Sequence, residues 1–144
     1  MENNLIESCG ALIYARTTQR YLFLLRSTSK YRNSWGLVGG KVEPGETVIQ
    51  GLHREIQEEL GGQIDNAKIR PIEKFTSENG NFCYHTFVIV IDDEFVPDLN
   101  HEHDGYCWVP LDKYPKPLHP GVWRTFKFEA VINKIKVIEK LANA

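Results

Sequence analysis

At 144 residues with a formal net charge of −2, the chain is long enough to bury a core without disulfide or metal staples and is expected to form one domain, residues 1–144. Its near-balanced charge offers no broad basic surface, which argues against stable binding to long nucleic acid, and no apolar run approaches the roughly 18 residues of a membrane span. The start "MENNLIESCG" is acidic and polar, with no basic end followed by an apolar stretch, so a cytoplasmic protein without a secretory signal is expected.

In chain order, β-rich or alternating runs predict strands over residues 7–14 and 21–25. The next periodic segment is helical. At about 100° per residue, Ile49, Leu52, Ile56 and Leu60 fall within an arc of roughly 80°, a normal core stripe. Strands over 67–75 and 82–91 follow, joined through "SENGNF", whose Asn79-Gly80 dipeptide favours a type I′ turn. A short strand is expected at 106–109, and "PLDKYPKPLHPGVW" reads as a surface connection. One helix over 122–141 closes the chain, with Phe128, Val131, Ile135 and Ile138 on one stripe. This order predicts a mixed β-sheet covered by helices, an α/β or α+β sandwich. Cys9, Cys83 and Cys107 match neither a zinc spacing nor a disulfide framework and read as reduced, half-buried strand residues.

The stretch "GGKVEPGETVIQGLHREIQEELGG", residues 39–62, concentrates acids. On the helical wheel Glu59 lies about 20° beyond the Leu52 edge of the core stripe, with Glu55 and then Glu58 further round. Glu59 therefore borders the core and Glu58 points most nearly to solvent. No basic residue shares that arc, since Arg54 projects from the far side of Glu58. Like charges at this spacing repel by a few tenths of a kcal/mol per pair, so about that much opposes folding for each. Partly buried carboxylates need a cation or hydrogen-bond donors, and a divalent ion turns the repulsion into coordination. Ahead of the helix, Pro44 and Gly45 make a turn and Thr47 or Glu46 can cap the first turn. The Gly39-Gly40 pair permits positive φ and can aim a carbonyl at an ion. Oxygen ligands of this kind suit Mg²⁺ or Mn²⁺ with several waters retained.

Gly40, five residues, Glu46, seven residues, then "REIQEELG" from Arg54 to Gly61 resembles the signature of the Nudix hydrolases. Seven fixed positions at average usage make a chance match on the order of one in a million. The lead-in "WGLVGGKVEPGE" is similar to the family's as well. Gly62, where a hydrophobic residue is usual, and Val38, where a proline often stands, depart from the pattern without removing a ligand. The resemblance implies a Nudix-type α/β/α sandwich and hydrolysis of a nucleoside diphosphate linked to a further group X, using a divalent cation and water. By the same resemblance Glu55, Glu58, Glu59 and the Gly39 carbonyl hold the metal, while Arg54 and Glu46 orient the ligating carboxylates. The general base stays open between a signature glutamate, Glu55 or Glu58, and an acid on a later loop. For the latter Glu102 in "HEHDGYCWV" is the candidate, with Asp104 its rival.

Outside the signature, Arg26, Trp35 and Lys41 are candidates for substrate binding, since cations can meet phosphates and an aromatic ring can stack on a base. His101 and His103 lack further zinc ligands at suitable spacing, and His53 and His85 read as structural or surface residues. The expected activity is that of a Mg²⁺-dependent pyrophosphohydrolase on a nucleotide, with X drawn from dinucleoside polyphosphates, nucleotide sugars or nucleoside triphosphates. The alternative is a catalytically silent Nudix-like domain that senses nucleotides or binds a protein. A homodimer is left open.

Overall fold

Alternate side chains of strand β1 (Ile6–Ala15) are buried on both of its faces, and this sets the layering. Residues 5–28, 30–62, 64 and 68–144 are described by the computed structural model. Cys9, Ala11, Ile13 and Ala15 join one core cluster with Leu22 and Leu24 of β2 (Arg20–Arg26) and with Leu52, Ile56 and Leu60 of helix α1 (Val48–Leu60). Leu12 and Tyr14 join a second cluster with Tyr21, Phe23 and residues of two C-terminal helices, α2 (Pro120–Phe126) and α3 (Glu129–Ala142). A sheet apolar on both faces requires helices on both. The expected α/β/α sandwich follows.

Among the described residues the sheet has seven strands and is mixed. β1 runs parallel to β6 (Phe82–Ile91) from Ile6↔Phe82 to Ala15↔Ile91, and β6 is antiparallel to β5 (Ile69–Thr76). β2 pairs with β7 (His103–Val109). The two hairpin strands β1 and β2 are paired only at Tyr14↔Tyr21 and Ala15↔Arg20 before they part. Into that gap comes a segment that sequence patterning does not mark as strand. Its β3 (Trp35–Gly36) pairs with β2, and its β4 (Val38–Lys41) pairs with β1. Glycines have poor strand propensity, so here the partners impose the conformation.

Three local expectations are corrected. The Asn79-Gly80 turn is not type I′, because Gly80 has positive φ (74°) and Asn79 does not. Gly80 N–H instead donates to Ser77 O, a type I turn followed by a left-handed glycine, within the longer loop 78–81 that the Ser77 N–H to Phe82 O bond closes. The late strand begins at His103, not at residue 106. The single C-terminal helix is two, and its stripe explains why: Val122 precedes Val131 by nine residues, about 900° of helical rotation, so on one helix they would face opposite ways. The break after Phe126 lets both be buried, while Phe128, at the break, is 47% exposed. Thr125 and Arg124 hold α2 to β5, through hydrogen bonding of both to Glu73 and stacking of the guanidinium 4.0 Å from the Phe75 ring centre.

α1 is capped by Thr47 rather than Glu46. The Thr47 hydroxyl accepts from Gln50 N–H and the Gln50 side chain accepts from Thr47 N–H, while Gly61 ends the helix in the left-handed conformation. Among the described residues no helix is long and apolar enough to cross a membrane. Truncating Ile135, which is fully buried, is expected to cost about 2–5 kcal/mol, whereas Phe128→Ala should cost under about 1 kcal/mol. Urea denaturation separates the two. Equal losses would restore the continuous stripe.

Candidate active site

Two glycines allow β4 to pass between β1 and α1. Gly39 has φ of 149°, and a Cβ there would lie 2.0 Å from Cys9 O. At Gly40 a Cβ would lie 2.7 Å from Glu55 Oε1. With no side chain in the way, the Gly39 N–H donates to Glu59 Oε2 at 3.1 Å. Glu59 is 1% exposed and Glu55 8%, so the helix brings two carboxyls one turn apart into a nearly dry corner. Burial, then the hydrogen bond and charge of Glu55, push the Glu59 carboxyl up to about 10, with the charge of Glu102 adding and the Gly39 amide opposing. Without a cation Glu59 therefore holds a proton at neutral pH.

The third contributor comes from the other side of the sheet. β7 begins where β2 is bulged between Leu25 and Arg26, and the chain before it is pinned by Ser27 N–H to Glu102 O (3.0 Å) and Glu102 N–H to Asn100 Oδ1 (3.0 Å). This brings carboxylate oxygens of Glu59 and Glu102 and a ring nitrogen of His103 within 4.8 Å of one another. His103 Nδ1 is buried, lies 3.5 Å from Glu59 Oε1 and has no hydrogen-bond partner among the described residues. Burial, then the charge of Arg26, push its imidazole down to about 4 against the pull of Asp104. The ring is neutral, so its approach to Glu59 is not an ion pair. Sequence spacing could not reveal His103, because the Glu59 it approaches lies more than forty positions away in the chain.

Arg54 corrects the expectation of an unneutralised acidic face. Its guanidinium reaches back across the helix, pairing with both oxygens of Glu46 (2.8 and 3.1 Å), with Glu55 Oε1 (3.0 Å) and with Glu58 Oε2 (3.3 Å). The same group donates to Lys41 O at 2.9 Å. Its hydrogen bonds hold Glu46 below the usual carboxylate range. Glu58 has 54% of its side chain exposed, as the wheel implies.

The remaining candidates divide. Arg26 has a buried Nε with no hydrogen-bond partner, and its charge acts on His103, His119 and Tyr84. A cavity of ≈ 320 Å³ lies beside Tyr84 and His119, with Phe75, Phe82 and Thr86 in its walls, and the buried Thr86 hydroxyl has no hydrogen-bond partner. Trp35 packs partly buried against the second core cluster, with its backbone bonded to Pro117 and His119. Lys41 is exposed on β4 and Asp104 is exposed on β7. A larger cavity, ≈ 830 Å³, lies beside Gly61, Ile91 and Leu141 and is not lined by Glu55, Glu58, Glu59 or Glu102.

A family model for the NUDIX domain matches residues 6–128. A nucleoside triphosphatase, NudI, of Escherichia coli is 32% identical over 114 residues, spanning 71% of this chain and 80% of that protein. The asymmetrical bis(5'-nucleosyl)-tetraphosphatase of Sus scrofa is 31% identical over 121 residues, spanning 75% and 81%. Among solved structures, a MutT NUDIX hydrolase from Burkholderia pseudomallei superposes with a TM-score of 0.70 at 26% identity, covering 88% of this chain and 95% of that one.

A stability signature follows from the Glu59 proton. A carboxyl raised in the folded state stabilises fully below its unfolded value near 4.5 and loses that contribution as pH climbs toward about 10. In chelated protein, thermal unfolding should therefore show wild type losing ground to Glu59→Gln as pH rises from about 5 to about 9. Parallel curves would show that Glu59 is not protonated.

Proposed function

We propose that this chain, which belongs to the Nudix hydrolase family, cleaves a nucleoside diphosphate linked to a further group X by attack of water on phosphorus at the Glu55–Glu59–Glu102 corner. The observation that carries the reading is the convergence there of the buried Glu59, the more exposed Glu102 and a neutral imidazole nitrogen without a hydrogen-bond partner among the described residues, a donor set that fits a divalent cation. Glu55, Glu58, Glu59, Glu102 and the Gly39 carbonyl would hold Mg²⁺ or Mn²⁺, with His103 favouring the latter. Such an ion, when bound, screens phosphate charge and lowers the pKa of water.

The chain's own residues do the rest. Arg54 fixes Glu55 and Glu46 in place, since displaced ligands weaken binding and rate together. Glu102 accepts the proton of the attacking water, because its loop is pinned beside Glu59, whereas Asp104 is exposed. The Arg26 guanidinium, whose buried Nε has no hydrogen-bond partner among the described residues, takes a substrate phosphate. The aromatic walls and the Thr86 hydroxyl of the cavity beside Tyr84 suit a base. Trp35, partly buried, and Lys41, exposed on β4, remain further candidates for substrate contact. The names of the relatives, a nucleoside triphosphatase and a tetraphosphatase, favour as substrate a nucleotide with a longer phosphate chain over a nucleotide sugar. The retained acids disfavour a silent nucleotide sensor.

Chelation should abolish nucleotide hydrolysis while leaving the far-ultraviolet circular dichroism intact, because both core clusters are apolar. Glu59→Gln should lower kcat by orders of magnitude at saturating Mg²⁺. Full activity in that variant overturns the metal assignment. Glu102→Gln should lose most of kcat with little change in KM and lose the acidic limb of the pH–rate profile. If Glu102→Gln and Asp104→Asn both keep wild-type profiles, the base returns to Glu55 or Glu58. Arg26→Ala should raise KM for the nucleotide more than it lowers kcat.

A further inference from the structure

A second group of metal-ligating side chains lies on β1 and β6, and it shares no residue with the acidic corner. Cys83 and His85 alternate along β6 and so project on one face. Parallel pairing sets Glu7 of β1 opposite Cys83. The His85 Nε2 lies 2.9 Å from Glu7 Oε2 and 3.5 Å from Cys83 Sγ, and all three atoms are within 4.8 Å of one another. A tetrahedral zinc ion with bonds of about 2.0–2.3 Å sets its ligand atoms about 3.3–3.8 Å apart. The sulfur–nitrogen separation already matches, and the nitrogen–oxygen pair needs to open by only about 0.4 Å.

We propose that Glu7, Cys83 and His85 form a second, non-catalytic divalent-metal site that takes zinc in preference to magnesium. The chemistry of the donors makes that choice. One thiolate and one imidazole beside a single carboxylate suit a borderline-soft ion, whereas the acidic corner offers mainly oxygen. On binding, the Cys83 thiol loses its proton to solvent. His85 presents its Nε2 lone pair with the ring proton on Nδ1, the Glu7 oxygen completes three protein bonds, and water takes the fourth position. Access exists from the Glu7 side, because the Glu7 and His85 side chains are 36% and 17% exposed. Cys83 is buried, and Thr76 Oγ1 approaches its sulfur at 3.8 Å. Lys74, the register partner of His85, is exposed, so water screens its charge.

Sequence spacing hides this site. Cys83 and His85 read as an ordinary alternating strand pair, and Glu7 lies 78 positions away from His85. Only the parallel register joins them. The site also touches the signature strand from below, since Val42 N–H donates to Glu7 O at 2.9 Å. Bound metal would fasten β1 and β6 together.

The test is a titration of the full chain with cobalt(II), a coloured substitute for zinc, in excess Mg²⁺ that fills the oxygen-rich corner. Wild type should take up cobalt with a thiolate-to-cobalt charge-transfer band in the near ultraviolet, and zinc should erase that band. Cys83→Ser should lose it, whereas Cys9→Ser and Cys107→Ser should keep it. Glu7→Gln and His85→Gln should each weaken cobalt affinity at least about tenfold. Glu7→Gln changes a side chain with substantial exposure, so it decides the matter even where a Cys83 variant folds poorly. No thiolate band in wild type, a band that survives Cys83→Ser, or unchanged affinity in both Glu7→Gln and His85→Gln would overturn the proposal.

Discussion

A carboxyl group with 1% of its surface in contact with water has to be held by something other than water, and much of this structure follows from how Glu59 is held. Its donor is a backbone amide, that of Gly39. A backbone can come that close to a helix only if no Cβ intervenes, hence the two successive glycines, each of whose added methyls would clash. For β4 to occupy that position, β1 and β2 must separate, and they do so after two paired positions. The opening between the strands is therefore a requirement of the site rather than a defect of the sheet.

Charge is distributed unevenly around that corner. Arg54 contacts Glu43, Glu46, Glu55 and Glu58, so the outer acids are compensated by one guanidinium. Glu59 instead faces the neutral His103 imidazole at 3.5 Å, and Glu102 adds further negative charge beside it. Repulsion is thus relieved on the solvent side and left standing at the core edge. Protonation relieves it when no cation is present, and burial first, then the neighbouring Glu55, raises the Glu59 carboxyl far above its ordinary range. A divalent ion placed there would replace the proton.

Local patterning made α1 readable. Its apolar stripe, its cap and the order of its acids all repeat at helical spacing, so neighbours in space were neighbours in the sequence. The solvent-facing place of Glu58 and the buried edge at Glu59 came from the same wheel. Reach was not readable: Arg54 lies off the acidic arc by its Cα direction, yet its long side chain bends back to two of those acids. His103 was missed for a different reason, because only strand pairing brings it to Glu59. The C-terminal helices failed by phase, since a stripe found over 128–138 says nothing about whether Val122 continues it. Asn79-Gly80 located the hairpin correctly but not its turn, which the flanking serine and register determine.

The parted strands also separate two tasks across the sheet. α1 and the acids pack on the face of Cys9, Ala11 and Leu24, while the cavity beside Tyr84 opens on the face closed by α2. Arg26 is at the end of β2, where the strand has left β1 and has bulged against β7. Its charge acts on His103 of one group and on His119 and Tyr84 of the other. The break between α2 and α3 then acquires a functional meaning. It frees α2 to set His119, Val122 and Arg124 around the cavity while α3 keeps its own stripe on the core, so the cavity can vary without moving the acids.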